Sequence, residues 1–462
     1  MKWNQKALVL LILVALIGIP PLGVGYANLW LAKTAIDASD ASVHYETAAK
    51  FLFWTVDLYE QAGLLAQNDP QRTIQLLLTA RKKGSLSSSG QVALGDAYLA
   101  NKQIDQARTE WEDLLYQNQD LVKISPRLIQ IYHNRKEFKQ EENLLNLWLG
   151  IEPSNPDANE RLGRLLAALA APEALTYLNM AASRSTNTAT RLNTLISALK
   201  SPTENPAYRL ARCGQALAQL GEWTLAEQAF TRAVNTDPQY ANAWAWLGLA
   251  RQQNNMPAAQ AALEQGLILD QNSAAIHAML GTYWQQTGKP EQARQQFKTA
   301  TDLEPGNPSW WVALGAASAR LDLPEALNAY TQAVNLAPQE AGNWYALAAF
   351  CVENEAYIED YGLSAALRAF ALNPTNPTYM DMLGRAQMAT GQREAAEVMF
   401  KKALAVDGSA DQAYIYHFHL GLLYMQSGQS NKAKFEFQQT LESDPQGTYG
   451  NQAKKLVERY FP

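Results

Sequence analysis

A short pattern that recurs about every 34 residues constrains this chain more than any other feature of its sequence. One copy runs from Ala207 to Tyr240, and its eighth residue is Gly214. Position 8 then recurs at steps of 33 to 37 residues, and upstream at steps of 34 residues. The residues at this position are Gly95, Ile129, Gly163, Gly214, Gly248, Gly281, Gly315, Ala348, Gly384 and Gly421. Ten copies in phase predict that one structural motif builds most of the chain.

The recurring residues each have a structural reason. A small residue at positions 8 and 20 allows the two helices of one repeat, helix A and helix B, to approach closely. Glycine at position 15, as in Gly221 and Gly288, favours a left-handed end of helix A. Proline at position 32, as in Pro238 and Pro305, ends helix B. Because one helical pair cannot bury its apolar face alone, neighbouring repeats are expected to stack.

This pattern resembles the tetratricopeptide-repeat family over roughly residues 88–447. The W-x-x-L-G signature of that family occurs at Trp244 to Gly248 and again at Trp311 to Gly315. The resemblance implies an all-α superhelical solenoid that binds protein or peptide partners in a concave groove. Its members work by holding partners, so the resemblance implies a scaffold and not an enzyme.

Spacing and helix breakers divide the chain further. The step from Gly163 to Gly214 is 51 residues, which leaves room for an extra helix over Thr190–Lys200. Upstream of the repeats, residues 45–66 and 70–82 are predicted to form a helical pair that caps the first repeat. The predicted regions are a transmembrane anchor or signal peptide (1–33), a helical linker and N-terminal cap (34–87), a block of three repeats (88–189), an extra helix and linker (190–206), a block of seven repeats (207–447) and a C-terminal capping helix (448–462).

The N-terminal segment over residues 7–32 carries no charged side chain, whereas Lys2 and Lys6 precede it and Lys33 follows it. It is long enough to cross a bilayer as a transmembrane helix. Two interpretations stay open, an uncleaved anchor and a signal peptide cut near residues 25–27. The anchor is favoured because the apolar character continues to the end of the segment. In both, the lysines predict a cytoplasmic N-terminus and extracytoplasmic repeats, and only cleavage would give a secreted chain.

Composition and motifs exclude several function classes. A net charge of -6 and a pI near 5.6 argue against a nucleic-acid partner, which needs a basic face. Cys213 and Cys351 are too few for a disulfide framework and are not spaced as zinc ligands. His417 and His419 point to nearly opposite sides of a helix, unlike a metal-binding pair. With no phosphate-binding loop or nucleophile motif, we expect no catalytic residues, no cofactor and no metal.

The groove can be described from the resemblance, which implies that helix A positions 2, 5, 9 and 12 line it. These positions are mostly neutral here, so the Lys, Asn and Arg clamp of chaperone-binding members is absent, and an extended peptide or amphipathic helix is the expected partner. The leading hypothesis is therefore a membrane-anchored scaffold of the cell envelope. The alternative is a polysaccharide-binding or export accessory, in which exposed tryptophans would stack on sugar rings. The predicted partner-binding residues are Gln215, Trp246, Leu249, Gln252, Thr282, Gln285, Trp310, Tyr345, Phe418 and Met425.

Overall fold

The computed structural model describes residues 21–202, 205–254, 258–406 and 412–461, and the regular secondary structure of these residues is helical throughout. The prediction of an all-α fold is therefore confirmed. The first helices are α1 (21–34), α2 (Ala38–Phe51), α3 (Leu58–Leu65), α4 (Pro70–Lys83), α5 (Ser88–Ala100), α6 (Ile104–Tyr116), α7 (Leu121–Asn134), α8 (Phe138–Ile151), α9 (Pro156–Ala167), α10 (Ala174–Ala182), α11 (Thr186–Leu199), α12 (Pro206–Gln219) and α13 (Trp223–Thr236).

The helices continue in the same way after α13. They are α14 (Ala241–Asn254), α15 (Ala259–Leu269), α16 (Ala274–Gln286), α17 (Pro290–Leu303), α18 (Pro308–Ser318), α19 (Leu323–Leu336), α20 (Ala341–Glu353), α21 (Leu363–Leu372), α22 (Pro377–Ala389), α23 (Arg393–Val406), α24 (Ala413–Gln426), α25 (Ser430–Ser443) and α26 (Thr448–Tyr460). A π-helical turn over Ile358–Gly362 precedes α21. Within a repeat, helix A packs against helix B, and from α14 to α26 the successive A helices also contact one another.

Glycine at position 8 brings the two helices of a repeat together, as predicted. A Cβ atom on Gly384 would lie 2.6 Å from the ring of Phe400, and a Cβ on Gly421 would lie 2.6 Å from the ring of Phe437. A larger residue would therefore push the aromatic ring of helix B out of the core. The glycines at position 15 have positive φ angles, for example 79° at Gly221, which confirms the predicted left-handed helix ends.

Several A helices begin with an Asn-Pro pair whose chemistry sets the boundary. The side chains of Asn307 and Asn376 accept hydrogen bonds from the backbone N–H groups of Ser309 and Thr378, at 3.1 and 2.9 Å. Proline then occupies the first helical turn, where its missing N–H costs nothing. This local signal explains why the first residues of these helices recur at regular intervals along the chain.

The chain divides into two bodies, which we call the N-terminal body (Met1–Ala229) and the C-terminal body (Phe230–Pro462). The boundary falls inside α13, beyond the predicted linker at 190–206. The predicted separation into blocks of three and seven repeats therefore stays a prediction. The single helix α11 lies where the extra helix was expected, and Ser185 caps its start by accepting the N–H of Thr188 at 3.1 Å.

The N-terminal cap differs from the predicted helical pair, because residues 45–66 do not form one helix. The backbone leaves the helical conformation at Leu52 and resumes it in α3. The intervening segment contains the aromatic pair Phe53 and Trp54 and the β-branched Thr55 and Val56. Such residues lose side-chain freedom in a helix, so a break in the helix at this place costs little free energy.

The predicted membrane segment lies only partly within the structure, because residues 7–20 are outside the described residues. Its remainder belongs to α1, and Leu22 and Leu29 pack against Leu52 and Leu58 of the cap. None of the helices in the described part of the chain combines the length and the apolar character needed to span a bilayer.

The N-terminal body contains a cluster of ionised side chains between α7, α8, α9 and the residue before α13. Arg161 bonds to Glu141 at 2.5 Å, and Arg164 bonds to Glu222 at 2.6 Å. Glu141 is fully buried, and His133 lies 3.4 Å from its carboxylate. Burial lowers the pKa of Arg164, and the Glu222 carboxylate opposes this shift. Ion pairs thus lie in the space between these helices.

Candidate functional site

The main candidate site lies within the C-terminal body, along the A helices α16, α18 and α20. An open depression of about 660 Å³ is lined there by small side chains, among them Ala316, Ala346 and Ala349. Ala316 and Ala349 occupy position 9 of their helices. Alanine at these positions keeps the helices intact and leaves room beside them, because it combines high helix propensity with the smallest Cβ side chain.

Polar groups line the same depression. Gln285, Arg320, Glu353 and Asn354 contribute to its lining, and Arg320 is exposed. Tyr330 lies at its inner side, where burial, aided by the Glu353 carboxylate, raises the pKa of the phenol to about 12. The phenol is therefore neutral at ordinary pH. The depression offers one cation, one anion and several neutral donors and acceptors around an alanine surface, which suits an extended peptide backbone.

A second depression of about 490 Å³ begins on the other side of the end of α20. Its lining includes Glu355, Arg385 and His419 together with apolar side chains of α22 and α24. His419 is held in place by Asp381, whose carboxylate lies 2.7 Å from Nδ1 of the ring. Both residues of this pair are less than one-tenth exposed. Arg385 lies 3.9 Å from Glu353, so the charges of the two depressions are connected through this weak pair.

Four predicted binding residues remain accessible on A helices of the C-terminal body. Gln285 is exposed and lines the first depression, whereas Leu249, Thr282 and Met425 are half-buried. The hydroxyl of Thr282 donates to the carbonyl of Ala278 at 3.0 Å, which satisfies it within its own helix. Among the four, Gln285 is the residue that the structure places in the candidate site.

Tyr345 and Gln252 are more enclosed than the periodicity indicates. The ring of Tyr345 is half-buried with its centroid 5.6 Å from that of Tyr379, and burial raises the pKa of its phenol. Gln252 is only 3% exposed, and its amide donates to the side chain of Gln286. Its own amide oxygen has no hydrogen-bond partner among the described residues. Gln215 belongs to the N-terminal body, where it is half-buried on α12.

The prediction for Phe418 requires a correction, because this side chain is only 5% exposed. Its ring packs against Phe437 at 5.8 Å and against Tyr449 at 5.2 Å. Tyr449 belongs to α26, which covers position 5 of α24. Phe418 is therefore a core residue, and the repeat pattern could not indicate this because the cover comes from the helix that follows the last repeat.

The two tryptophans considered for sugar stacking also have packing partners. Trp246 is half-buried and stacks on Phe230, with ring centroids 6.0 Å apart. Trp310 packs against the core around α16 and donates its indole N–H to Glu304 at 2.8 Å. Neither ring is an open platform on the groove.

Sequence reasoning missed the charged residues of the site. Asp381 and Arg385 occupy positions 5 and 9 of the ninth repeat. The rule that helix A positions 2, 5, 9 and 12 line the groove would therefore have found them. Arg320 and Glu353 share position 13 of two successive repeats, which the rule does not include. His419 lies at position 6, and its role became visible only through its contact with Asp381.

Within the described ranges, no group of three or more His, Cys, Asp and Glu side chains is arranged to hold a metal ion. Cys213 and Cys351 are both fully buried, and burial raises the pKa of each thiol to about 12. Such thiols stay protonated and are poor nucleophiles. The absence of a catalytic residue remains an expectation.

Comparison with known proteins agrees with the repeat geometry. One family model described as tetratricopeptide repeat matches residues 63–121, 214–274, 249–308 and 278–341. A second model with the same description matches residues 377–409 and 414–446. Together these matches cover more than half of the chain. A curated relative, anaphase-promoting complex subunit 3 of Schizosaccharomyces pombe, is 24% identical over 180 residues. That match covers 38% of this chain and 26% of the relative, so the chain spans only about a quarter of that protein's length.

Solved structures give more distant likenesses. A tetratricopeptide repeat protein from Parabacteroides merdae is 13% identical with a TM-score of 0.43, over 55% of this chain and 97% of that one. The yeast protein Tom70 is 15% identical with a TM-score of 0.41, over 96% of each chain. The repeat models carry the assignment, and on their coverage this chain belongs to the tetratricopeptide-repeat family.

Proposed function

We propose that this chain is a scaffold that binds an extended peptide segment of a partner protein along α16, α18 and α20. The observation that supports this most directly is the depression lined by Ala316, Ala346 and Ala349. Members of the family bind proteins or peptides, and this depression is a place where such a segment would not collide with large side chains.

The lining of the depression indicates the chemistry of the partner. Alanine surfaces favour contact with a flat, extended backbone or with small apolar side chains. Gln285 and Asn354 can pair with backbone amides, while Arg320 and Glu353 can each pair with one side chain of opposite charge. A partner with one acidic and one basic residue near an apolar stretch therefore suits the site best.

We also propose that residues 7–32 hold the scaffold at a membrane, with the repeats on the extracytoplasmic side. Support comes from the sequence, in which an uncharged run follows Lys2 and Lys6. A cell-envelope scaffold would use this attachment to hold its partner close to the bilayer. Carbonate extraction of membranes and external protease on spheroplasts test this part, and protection of the repeats would overturn the orientation.

The groove is tested by filling it. Ala316 is exposed inside the depression, so Ala316→Trp adds an indole there without entering the core. The matched control is Ala261→Trp, which adds the same ring to an exposed alanine of α15 that does not line the depression. Partners are captured from detergent-solubilised membranes with the full-length chain and identified by mass spectrometry.

We expect the Ala316 variant to lose the captured partner and the Ala261 variant to retain it, with equal circular-dichroism melting curves for both. Retention of the partner by both variants would contradict a binding site in this depression. Trp246 and Trp310 pack against protein groups, which disfavours their use for stacking on sugar rings.

A further inference from the structure

Helix α1 is apolar on both of its faces up to its last turn, which ends with the exposed Lys33 and Thr34. Its inner face packs on the cap, where a Cβ on Gly25 would lie 2.7 Å from Leu52 and where Ala32 is buried. Its outer face carries Val24, Trp30 and Leu31, which are 43%, 65% and 39% exposed. A helix that is hydrophobic all round belongs inside a protein or against lipid. The outer face of α1 therefore lacks a cover in the described residues.

A second exposed apolar group lies in the turn between α2 and α3. Phe53 and Trp54 are 70% and 50% exposed and pack edge to face, with ring centroids 5.0 Å apart. Val56 beside them is 42% exposed. Aromatic side chains with this degree of exposure are typical of binding surfaces and of membrane interfaces.

The packing of α1 on α2 shows which end of α1 lies near this turn. Asn28 bonds to His44 at 2.8 Å, whereas the more N-terminal Gly25 lies against Phe51 and Leu52. The two helices are therefore antiparallel. The turn with Phe53 and Trp54 therefore lies near the N-terminal end of α1, which begins at residue 21. The uncharged sequence of residues 7–20 precedes that residue in the chain.

Basic side chains lie close to the same turn. A Cβ on Gly84, which ends α4, would lie 2.5 Å from Val56, so the last turn of α4 adjoins the α2–α3 turn. That helical turn carries Lys82 and Lys83, both exposed, and the ammonium group of Lys83 lies 5.0 Å from the ring centre of Tyr59. Lysines beside exposed aromatics suit the phosphate groups of a lipid surface.

We propose that these residues form a lipid-docking surface, comprising Val24, Trp30, Leu31, Phe53, Trp54 and Val56, that rests on the membrane interface. The proposal depends on the membrane location proposed above and deepens it, because it places residues 21–32 of that segment in α1 at the interface, packed on the cap, and not across the bilayer. Attachment through the N-terminal segment alone would leave the orientation of the repeats open, whereas a docked cap fixes the start of the repeat array at the bilayer. Lipid is the favoured occupant because the uncharged sequence of residues 7–20 directly precedes α1 in the chain and lysines border the surface.

The test uses the full-length chain with a polarity-sensitive fluorophore on one introduced cysteine. Cys213 and Cys351 are fully buried, so labelling is confined to the new site in the folded protein. Trp54→Cys and, separately, Trp30→Cys report on the surface. Tyr116→Cys is the control, since Tyr116 is 90% exposed in the same body at the end of α6. The proteins are reconstituted in vesicles of phosphatidylcholine and phosphatidylglycerol, with or without bromine on the acyl chains.

We expect brominated lipid to quench the label at positions 54 and 30 and to leave the label at position 116 unchanged. Vesicle flotation in the same samples reports attachment separately. A chain that floats while positions 54 and 30 stay unquenched would overturn the docking surface and leave the proposed anchor standing. Shielding of both positions from a water-soluble quencher without quenching by lipid would mean that a second copy or residues 1–20 cover the surface, which also overturns the proposal. A chain that does not float with the vesicles would overturn both the proposed anchor and the docking surface.

Discussion

The two bodies use the same repeat in different ways, and position 9 of helix A shows the difference. In the N-terminal body this position holds Asp96 and Arg164, which form ion pairs with Arg127 and Glu222. In the C-terminal body it holds Ala316 and Ala349 in two successive repeats, where both line an open depression, and Arg385 in the repeat that follows. A charged residue at position 9 ties neighbouring helices together, and an alanine leaves space for a partner. The repeat sets the helices, and the residue at this position is one of those that determine what lies between them.

The source of stability differs accordingly. The C-terminal body has aromatic rings under its position 8 glycines, for example Phe400 under Gly384. In the N-terminal body, Arg161 and Arg164 lie between carboxylates that burial deprives of water. Apolar burial tolerates changes in pH and salt, whereas a buried ion pair becomes costly once one partner is removed. Each body therefore has a different weak point.

The largest effect is expected from the aromatic core of the C-terminal body. Phe437 is fully buried and contacts Gly421, whereas Phe435 on the same helix is 55% exposed. Phe437→Ala should lower the free energy of unfolding by about 4 kcal/mol, because it removes a buried ring and leaves a cavity. Phe435→Ala is the control, with an effect of about 0.5 kcal/mol or less. Urea denaturation followed by circular dichroism measures both, and similar losses would show that this core does not hold the body together.

The next effect concerns the ion pairs of the N-terminal body. Glu222→Ala leaves Arg161 and Arg164 partly unpaired in a buried place, so the free energy of unfolding should fall by about 3 kcal/mol. Asp113→Ala removes an exposed carboxylate from the same body and is the control. If the two variants had the same urea midpoint, the ion pairs would be no more than surface contacts, and the contrast between the bodies would disappear.

The two cysteines allow each body to be followed separately, since Cys213 belongs to one and Cys351 to the other. Each thiol has its pKa raised from 9.0 to about 12 by burial. Between these pH values the unfolded chain loses a proton that the folded chain keeps, so stability should fall as pH rises from about 9 to 12. Below pH 9 both thiols are protonated in the folded and in the unfolded chain, so we expect them to cause no pH dependence of stability.

At pH 8 we expect neither thiol to react with a thiol reagent until its own body unfolds in urea. Mass spectrometry of labelled peptides measures each site. Glu222→Ala should advance the labelling of Cys213 and leave that of Cys351 unchanged. Equal advances at both sites would show that the two bodies unfold as one.

The smallest effect on stability is expected in the groove itself. Arg385 lies 3.9 Å from Glu353, whose side chain is 62% exposed, so the pair is weak. Arg385→Ala should change the free energy of unfolding by about 0.5 kcal/mol or less. It should nevertheless reduce partner capture, because Arg385 lies 3.9 Å from Glu353, which lines the depression proposed to bind the partner. A large loss of stability with unchanged capture would make Arg385 a structural residue and remove it from the site.

The sequence by itself determined the helices and their pairing. Glycine at positions 8 and 15 and proline near helix ends act within one repeat, and their physical effects are the same in every copy. The groove positions named from the sequence include Gln285, which lines the first depression, and its role in binding stays a prediction. These features could be predicted because they depend on residues close together in the chain.

Only the tertiary structure decided which side chains remain open to a partner. Phe418 is covered by Tyr449 of α26, and Glu222 reaches Arg164 across 58 residues of sequence. His419 gains its place in the second depression through Asp381 of the preceding repeat. Exposure and ion pairing depend on which distant residue occupies the adjoining space, and a periodic pattern carries no record of that neighbour.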